Sequence, residues 1–316
     1  MKIRRHATLA AVLTVFACGD DEAEAPAGDG PGSDAAVESP YAPEAPDSVY
    51  RVVREITDGV YTYEYARPED PVTTVSMFVV SEEGVLVADG QGNIEETERL
   101  IDEIREVSDA PITHLVIATD HGDHTGGNLA FPESVEAYAH PAVAEALEPA
   151  EPGDPVLEPD HLVRDRERIV LGNREIEVLF LGRGHTAGDL VVHLPEEGIA
   201  FMSEAYLDRV FPLMITAYPS EWVETLHLAE ALDARTYVAG HGVRGSIQYG
   251  KEDLVRYRRA VEQVIAEVTR LYEAGMTVDE AVERANFGEL AQQADYVYQA
   301  ERAVRRVWAE LEGELD

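Results

Sequence analysis

The sequence predicts a mixed, layered α/β domain over residues 49–250 and a helical extension over residues 251–316. Two observations lead to this prediction. Within the domain, strand-forming runs lie side by side at the start and alternate with helical segments later, and the Gly-rich loop of doubly wound nucleotide-binding folds is absent. Beyond residue 250, apolar residues recur every three or four positions, which is typical of amphipathic helices.

The first half of the domain contains mostly strand signals. β-rich runs bounded by Asp-Gly or Gly turns predict strands at residues 49–56, 60–65, 72–80 and 85–88. Asn93, followed three positions later by Glu96, predicts a capped helix with an apolar stripe up to Val107. The continuous apolar run 112–118 predicts a buried strand, and a polar, Gly-rich loop begins directly after it.

The second half of the chain predicts further strands and then helices. The strands are expected at residues 175–181, 190–194, 199–202 and, as the last one, 237–239. Ser220 is expected to cap a helix that precedes the last strand. In the extension, helices are predicted at 254–272, after the capping box formed by Thr277 and Glu280, and at 291–311.

The N-terminus has the features of an export signal. A basic start is followed by an apolar segment at residues 7–17, too short to span a membrane, and then by Cys18, the only cysteine. This arrangement resembles a bacterial lipobox and predicts a signal peptide over residues 1–18, lipidation of Cys18, and a location in the cell envelope or periplasm. Because Phe16 is unusual in a lipobox, plain secretion and a cytoplasmic protein stay open as alternatives.

Acidic residues dominate the chain, which has a formal net charge of −37. Residues 19–48 contain nine acids and no base among many Pro, Ala and Gly residues, which predicts a solvated, extended linker. So acidic a protein is expected to repel nucleic acid, because phosphate backbones are bound by clustered Lys and Arg. The expected partner is a small-molecule substrate, with membrane contact only through a lipid at Cys18. The sequence leaves the oligomeric state open.

The loop at residues 119–127 carries the first candidate site residues. His121, Asp123 and His124 lie within four positions of one another, after a buried strand and among glycines that allow tight turns. Side chains at the carboxyl ends of strands commonly form the sites of layered α/β folds. Since imidazole and carboxylate are ligands of Zn²⁺, this loop indicates a metal site.

Three further strand ends carry residues of the same kind. His185 lies in a Gly-His-Thr turn, Glu204 follows a strand directly, and His241 lies between two glycines. An isolated histidine often only satisfies a loop carbonyl. Four separate strand ends with metal-competent residues instead favour a single shared centre.

The order of these motifs resembles the metallo-β-lactamase superfamily over roughly residues 50–245. The family pattern is His-x-His-x-Asp-His, then Gly-His-Thr-x-Gly, an Asp, and Gly-His. The resemblance implies a four-layer αβ/βα sandwich with one or two metal ions, commonly zinc, at the edge between its sheets. Position by position, it implies His121 and His185 as ligands of one ion, Asp123, His124 and His241 as ligands of another, and Glu204 in the place of the bridging Asp.

Thr119 occupies the position of the family's first His, and a neutral hydroxyl is a poor zinc ligand compared with imidazole. The resemblance therefore implies one or two zinc ions, with one ion favoured in the site of Asp123, His124 and His241. Zinc lowers the pKa of a bound water toward about 7, so hydroxide oriented by Asp123 is expected to attack a small ester, lactone or β-lactam.

Two further residues and two other functions stay open. Tyr206 is a candidate hydrogen-bond donor to the oxyanion, although a Tyr in such a strand-rich run more commonly packs in the core. Arg183 is a candidate for binding a substrate anion, and a surface ion pair is an equally expected role. A glyoxalase II-like thioesterase is one alternative function, because the fold alone does not determine the substrate. A catalytically degenerate, metal-binding envelope lipoprotein is the other, and Thr119 is the feature that favours it.

Overall fold

The computed structural model describes residues 3–4, 48–147, 155–245 and 249–315. Its strands, in chain order, are β1 (Ile3–Arg4), β2 (Tyr50–Thr57), β3 (Val60–Ala66), β4 (Val72–Val80), β5 (Val85–Ala88), β6 (Ile112–Ile117), β7 (Glu136–Ala139), β8 (Val156–Leu157), β9 (His161–Leu162), β10 (Arg166–Leu171), β11 (Arg174–Phe180), β12 (Leu190–Leu194), β13 (Ile199–Phe201), β14 (Leu207–Asp208), β15 (Thr236–Val238) and β16 (His241–Val243). Its α-helices are α1 (Ile94–Val107), α2 (Gly122–Thr125), α3 (Pro141–Ala146), α4 (Pro219–Glu230), α5 (Lys251–Glu273), α6 (Val278–Arg284) and α7 (Tyr296–Leu311). Short 3₁₀ helices lie at Asn128–Ala130, Ser203–Ala205 and Gly288–Gln292.

Two sheets form the centre of the domain. The larger sheet has the strand order β14-β16-β4-β5-β6-β7-β9. Strands β16 and β5 pair with successive parts of one edge of β4, and the β2–β3 hairpin pairs with its opposite edge. The smaller sheet has the order β10-β11-β12-β13-β15. Strands β5, β6, β7 and β9 pair in parallel, whereas β10 to β13 pair antiparallel. Strand β1 pairs with β8, outside both sheets.

Apolar side chains on both faces of the central strands create four layers. On β6, Val116 packs between the two sheets, while Leu115 and Ile117 pack against α1 on the outer face. On β12, Val192 faces the larger sheet and Val191 faces the helices α4, α5 and α7. Burial on both faces explains the continuous apolar runs in the sequence. The helix–sheet–sheet–helix arrangement confirms the predicted αβ/βα sandwich with C-terminal helices.

Helix α1 begins where its capping signal predicts. The side chain of Asn93 accepts a hydrogen bond from the backbone N–H of Glu96 at 2.9 Å. The Glu96 carboxylate does not return to the cap. It is buried and accepts hydrogen bonds from Arg51 on β2, the closest at 2.6 Å. Helix α1 is therefore joined to the larger sheet by a charge-assisted contact as well as by its apolar stripe.

Two predicted helix starts are wrong. Helix α4 begins at Pro219, and Ser220 lies in its first turn with its hydroxyl bonded to Glu310 of α7 at 2.7 Å. Proline suits a first turn because it has no N–H to leave unpaired. Helix α7 begins at Tyr296, and not at residue 291, because Asp295 takes a left-handed backbone conformation with φ 61°.

The predicted last strand, which corresponds to β15, is followed by another strand, β16. Strand β16 pairs with β4, so that His241 lies opposite Thr74. The run His-Gly-Val has too little strand propensity to be predicted from sequence, and only its pairing with β4 and β14 creates the strand. This pairing carries His241 to the same edge as the loops that follow β6, β11 and β13.

The predicted signal peptide, the lipidation of Cys18 and the acidic linker lie outside the described residues, apart from residues 3–4 and Ser48. Among the described residues, no helix is both long and apolar enough to span a membrane. The boundary at residue 250 stays a prediction. The helices beyond it nevertheless bury their apolar faces in the cluster that covers the smaller sheet, where Leu254 and Val261 pack with Tyr237 of β15.

This shared cluster predicts that the extension stabilises the sandwich itself. We expect Leu254→Ala, which removes a fully buried side chain of α5, to lower the free energy of unfolding by about 2–5 kcal/mol. Leu228→Ala on α4 is the control, since Leu228 is 52% exposed and its loss should cost less than about 0.5 kcal/mol. Urea denaturation followed by circular dichroism measures both. Equal stabilities of the two variants would contradict a common core.

Candidate metal centre

Loops at the ends of four strands bring imidazole and carboxylate groups to one edge of the sandwich. The loop after β6 runs into the short helix α2, the loop after β11 contains a Gly-His-Thr turn, a 3₁₀ turn follows β13, and β16 begins directly after Gly240. In chain order these segments supply Thr119, His121, Asp123, His124, His185, Glu204 and His241.

One group of side chains consists of Asp123, His124, Glu204 and His241. The Nε2 atoms of His124 and His241 are 3.2 Å apart. His241 Nε2 is also 3.1 Å from Glu204 Oε1 and 3.3 Å from Asp123 Oδ2. The four groups thus offer one ligand atom each, and these four atoms all lie within 4.8 Å of one another.

A second group consists of His121, His185 and Glu204. His185 Nε2 lies 3.2 Å from His121 Nδ1 and 3.4 Å from Glu204 Oε1. Glu204 Oε2 lies 2.8 Å from His121 Nδ1. The carboxylate of Glu204 therefore belongs to both groups, which is the position that the family resemblance implies for the bridging residue.

Thr119 lies beside the second group and is fully buried. Its hydroxyl donates a hydrogen bond to Glu204 Oε2 at 2.9 Å. Thr119, at the position where the resemblance implies the first histidine, therefore holds the shared carboxylate in place and adds no imidazole to the cluster.

The distances between these atoms fit a zinc ion. With zinc–nitrogen bonds of 2.0–2.1 Å, the ligand atoms of a tetrahedral site lie about 3.3 Å apart. The three contacts of His241 Nε2 in the first group, at 3.1–3.3 Å, are close to that spacing. Two imidazole nitrogens at 3.2 Å cannot both present lone pairs to each other without a proton or a cation between them. The donor set and its spacing thus suit a divalent ion.

The charges within the cluster compensate one another. Burial favours the neutral imidazoles, but neighbouring carboxylates outweigh it and raise the pKa of His121 to about 9 and that of His124 to about 10. Burial alone would raise the pKa of Glu204, but His185 and His121 hold it well below its usual range. Without a metal, the rings of His121 and His124 therefore favour the protonated form, and a bound cation would take the place of those protons.

Two buried carboxylates support the segments that carry these histidines. Asp89 Oδ2 lies 3.2 Å from His124 Nδ1, and Asp89 Oδ1 accepts the backbone N–H of Ala118 at 2.8 Å. Asp189 closes the Gly-His-Thr turn by accepting the N–H and the hydroxyl of Thr186 at 2.7 and 2.6 Å. A carboxylate behind a metal-binding histidine, as Asp89 lies behind His124, favours one orientation and tautomer of the ring.

Sequence reasoning missed both of these acids. The available signal for Asp89 was its position directly after the apolar strand at residues 85–88 and before Gly90, which mirrors the other strand ends. Asp189 offered only its place within the Gly-His-Thr-x-Gly turn region, and acids at such positions are common without a role.

Gly240 allows His241 to approach Glu204. A Cβ atom at this position would collide with the backbone of Ser203 and Glu204. The N–H of Gly240 instead donates to the carbonyl of Ser203 at 2.7 Å. The glycine before His241 is therefore required by the close contact of two backbone segments.

Two predicted site residues do not reach the cluster. Tyr206 is fully buried among the C-terminal helices, with its ring against Tyr257 and its hydroxyl near Asp208, because the chain turns into β14 at this point. Arg183 forms an ion pair with Glu221 of α4 and stacks over Tyr218. The structure therefore places neither side chain where it would contact a substrate at the metal cluster.

A cleft of about 590 Å³ opens onto the cluster. Besides the candidate ligands, its walls include Tyr65, Arg67 and Asp70 from one side and Asp295, Tyr298 and Gln299 from the start of α7. A two-sheet sandwich with a metal-competent cluster at its edge and a cleft above it defines a class of metal-binding α/β hydrolases.

Comparisons with known proteins identify the family. The sequence matches the metallo-beta-lactamase superfamily over residues 70–241. A metallo-beta-lactamase type 2 from Bacteroides fragilis is 26% identical over 230 residues, which cover 69% of this chain and 87% of the relative. A hydroxyacylglutathione hydrolase from Erythrobacter litoralis is 30% identical over 125 residues, 40% of this chain and 46% of the relative.

Solved structures show the same fold. A metallo-beta-lactamase from Pontibacter korlensis superposes with a TM-score of 0.59 at 22% identity, covering 67% of this chain and 99% of its own. The inverting sec-alkylsulfatase Pisa1 from Pseudomonas sp. gives a TM-score of 0.64 at 14% identity, covering 82% of this chain and 50% of its own.

The chain belongs to the metallo-beta-lactamase superfamily, since the family match spans more than half of its length. It is a metal-dependent hydrolase, as its named relatives are. Members of the superfamily typically bind divalent ions, often zinc, and the donor set described above fits such an ion.

The geometry of the cluster predicts the effect of removing one imidazole. We expect His241→Ala to lower the zinc retained after gel filtration to well below that of the wild type, because His241 Nε2 contacts three other members of its group. His161→Ala, which removes a half-exposed histidine of β9, is the matched control and should retain the wild-type content. Elemental analysis measures both, and equal zinc contents would contradict the assignment of His241.

Proposed function

We propose that this protein is an exported hydrolase that uses one zinc ion, held by Asp123, His124, His241 and Glu204, to cleave a small ester, lactone or β-lactam. The observation that carries the proposal is the convergence of these ligand atoms, which all lie within 4.8 Å of one another, beneath an open cleft. The basic and apolar N-terminus that ends at Cys18 supports export and a lipid anchor.

The ion would supply a Lewis acid that polarises the substrate carbonyl and lowers the pKa of water. Asp123 is suited to act beside it. Its side chain is 49% exposed toward the cleft, and Oδ2 accepts a hydrogen bond from Thr74 Oγ1 at 3.3 Å. This carboxylate can orient an attacking water and accept its proton. Glu204 is too deeply buried for that role, so ligation is its proposed function.

The second group, which consists of His121, His185 and Glu204, is the weaker candidate for binding an ion. His121 and His185 offer two imidazoles and share the Glu204 carboxylate with the other group. The hydroxyl of Thr119 engages Oε2, the oxygen that lies nearest to His121. We therefore propose that one zinc ion occupies the site of Asp123, His124 and His241. We also propose that the second group, with His121 and His185, binds zinc only weakly.

The size of the cleft and the identity of the relatives support a small substrate. A volume of about 590 Å³ lies within the range of small-molecule sites. The relatives are named β-lactamases and a hydroxyacylglutathione hydrolase, so a β-lactam and a thioester belong among the first substrates to test. The thioesterase is the second candidate, because that relative shares 30% identity over the matched segment. The net charge of −37 supports the proposal that nucleic acid is not a partner.

Replacing Asp123 tests the catalytic proposal. In zinc-loaded protein, Asp123→Ala should lower kcat for any ester, lactone, thioester or β-lactam that is hydrolysed by about a hundredfold or more, since it removes a proton acceptor at the reacting centre. Asp279→Ala removes an acid that is 78% exposed on α6 and should leave kcat unchanged. Stoichiometric zinc without hydrolysis of any substrate in the panel would favour a metal-binding protein that has lost turnover.

Replacing Thr119 tests the number of ions. Thr119→His restores a third imidazole to the His121 and His185 group and should raise the bound zinc from one to two ions per chain. Thr119→Ser keeps the hydroxyl that bonds to Glu204 and should retain one ion. Zinc titration by calorimetry with elemental analysis measures the stoichiometry. Two ions in the wild type, or one in Thr119→His, would refute the proposed effect of Thr119.

A further inference from the structure

The start of α7 forms one wall of the active-site cleft, and its residues have no role in the metal cluster. Asp295, Tyr298 and Gln299 line the cleft from this side, and Leu213 and Ile215 lie in the adjoining loop. Asp295 directly precedes α7 and Gln299 lies in its first turn, and both side chains line the cleft. This wall comes from the C-terminal extension.

Asp295 has a conformation and an environment that its helix does not explain. It takes a left-handed backbone conformation, and its side chain does not cap α7. Within the described residues, no hydrogen bond or ion pair to its carboxylate is found. Burial raises the pKa of Asp295, the nearby carboxylate of Asp70 adds to the shift, and the charge of His241 offsets it only in part.

Gln299 shows the same deficit of donors. Its side chain is only 8% exposed, and its amide Oε1 is buried without a hydrogen-bond partner among the described residues. A buried carbonyl oxygen left without a donor is costly, and such atoms in native proteins call for an explanation. A ligand that brings N–H groups into the cleft would donate a hydrogen bond to this oxygen.

The other acids of the cleft already have a partner or a proposed one. Asp70 lies 3.6 Å from the guanidinium of Arg67, and the proposed zinc ion accounts for Asp123 and Glu204. Asp295 is therefore the acid on these walls whose carboxylate has no hydrogen-bond or ion-pair partner among the described residues. A substrate that carries its own positive charge would compensate it.

We propose that Asp295 and Gln299 form a subsite for an ammonium group at the end of the substrate remote from the scissile bond. The inference rests on the proposed hydrolase function. Tyr298 and Ile215, which are 73% and 49% exposed at the cleft, provide apolar surface for the aliphatic part between the two ends. The substrate class is thus an amino-substituted acyl compound, in preference to one with a second carboxylate.

Three isosteric esters test this specificity. The nitrophenyl esters of 6-aminohexanoate, heptanoate and pimelate (as its monoester) place an ammonium, a methyl and a carboxylate at the same distance from the carbonyl. For zinc-loaded wild type we expect kcat/KM to fall in that order, with about a tenfold difference between ammonium and methyl. Asp295→Asn should abolish this preference, and Asn tolerates the left-handed backbone.

The control variant is Glu283→Gln, which removes one negative charge from an exposed residue of α6, away from the cleft. It should keep the preference for the ammonium ester, and both variants should retain the wild-type zinc content. Equal kcat/KM values for the three esters, or a preference unchanged in Asp295→Asn, would overturn the subsite while hydrolysis itself stands.

Failure of the hydrolase proposal has a different signature, namely that no ester is cleaved. The subsite is then tested by calorimetric binding of 6-aminohexanamide against heptanamide to the zinc-loaded protein. Tighter binding of the amine by about tenfold in the wild type, lost in Asp295→Asn, supports the subsite. Equal affinities for the two amides would refute it.

Discussion

The carboxylate of Glu204 is the group on which the rest of the site depends. It is 1% exposed, and both of its oxygens are engaged: Oε1 with His241 at 3.1 Å and Oε2 with His121 at 2.8 Å and Thr119 at 2.9 Å. A buried, unpaired charge would cost several kcal/mol, so the fold tolerates this carboxylate only because cationic or donor groups surround it. The loops after four strands are held together by that requirement.

The sandwich supplies the rigidity that this convergence needs. Central strands such as β6 and β12 are buried on both faces, and each loop of the site starts at the end of a strand fixed in this way. Asp89 and Asp189 then fix the loops locally, from behind His124 and within the turn of His185. The positions of the ligand atoms thus follow from packing first and from polar contacts second.

Two features of the chain underlie the proposals, namely Thr119 at the metal cluster and the start of α7 at the wall of the cleft. Thr119 contributes a hydroxyl that bonds to the shared carboxylate, and no imidazole, which underlies the proposal of a single main ion. The start of α7 brings Asp295 and Gln299, whose side-chain oxygens have no donor among the described residues, to the cleft that opens onto the cluster. The extension thereby adds polar groups to a cleft whose floor belongs to the sandwich.

The sequence by itself determined the layered α/β class, the C-terminal helices and the candidate ligands, because strand-end histidines among glycines and continuous apolar strands are local signals. The metallo-beta-lactamase resemblance divided those ligands into two groups, and the structure places the same residues together. Only the tertiary structure revealed strand β16, the positioning acids Asp89 and Asp189, and the cleft wall on α7. Each of these depends on contacts between segments far apart in the chain, such as β16 with β4, and no local pattern of residues encodes such a contact.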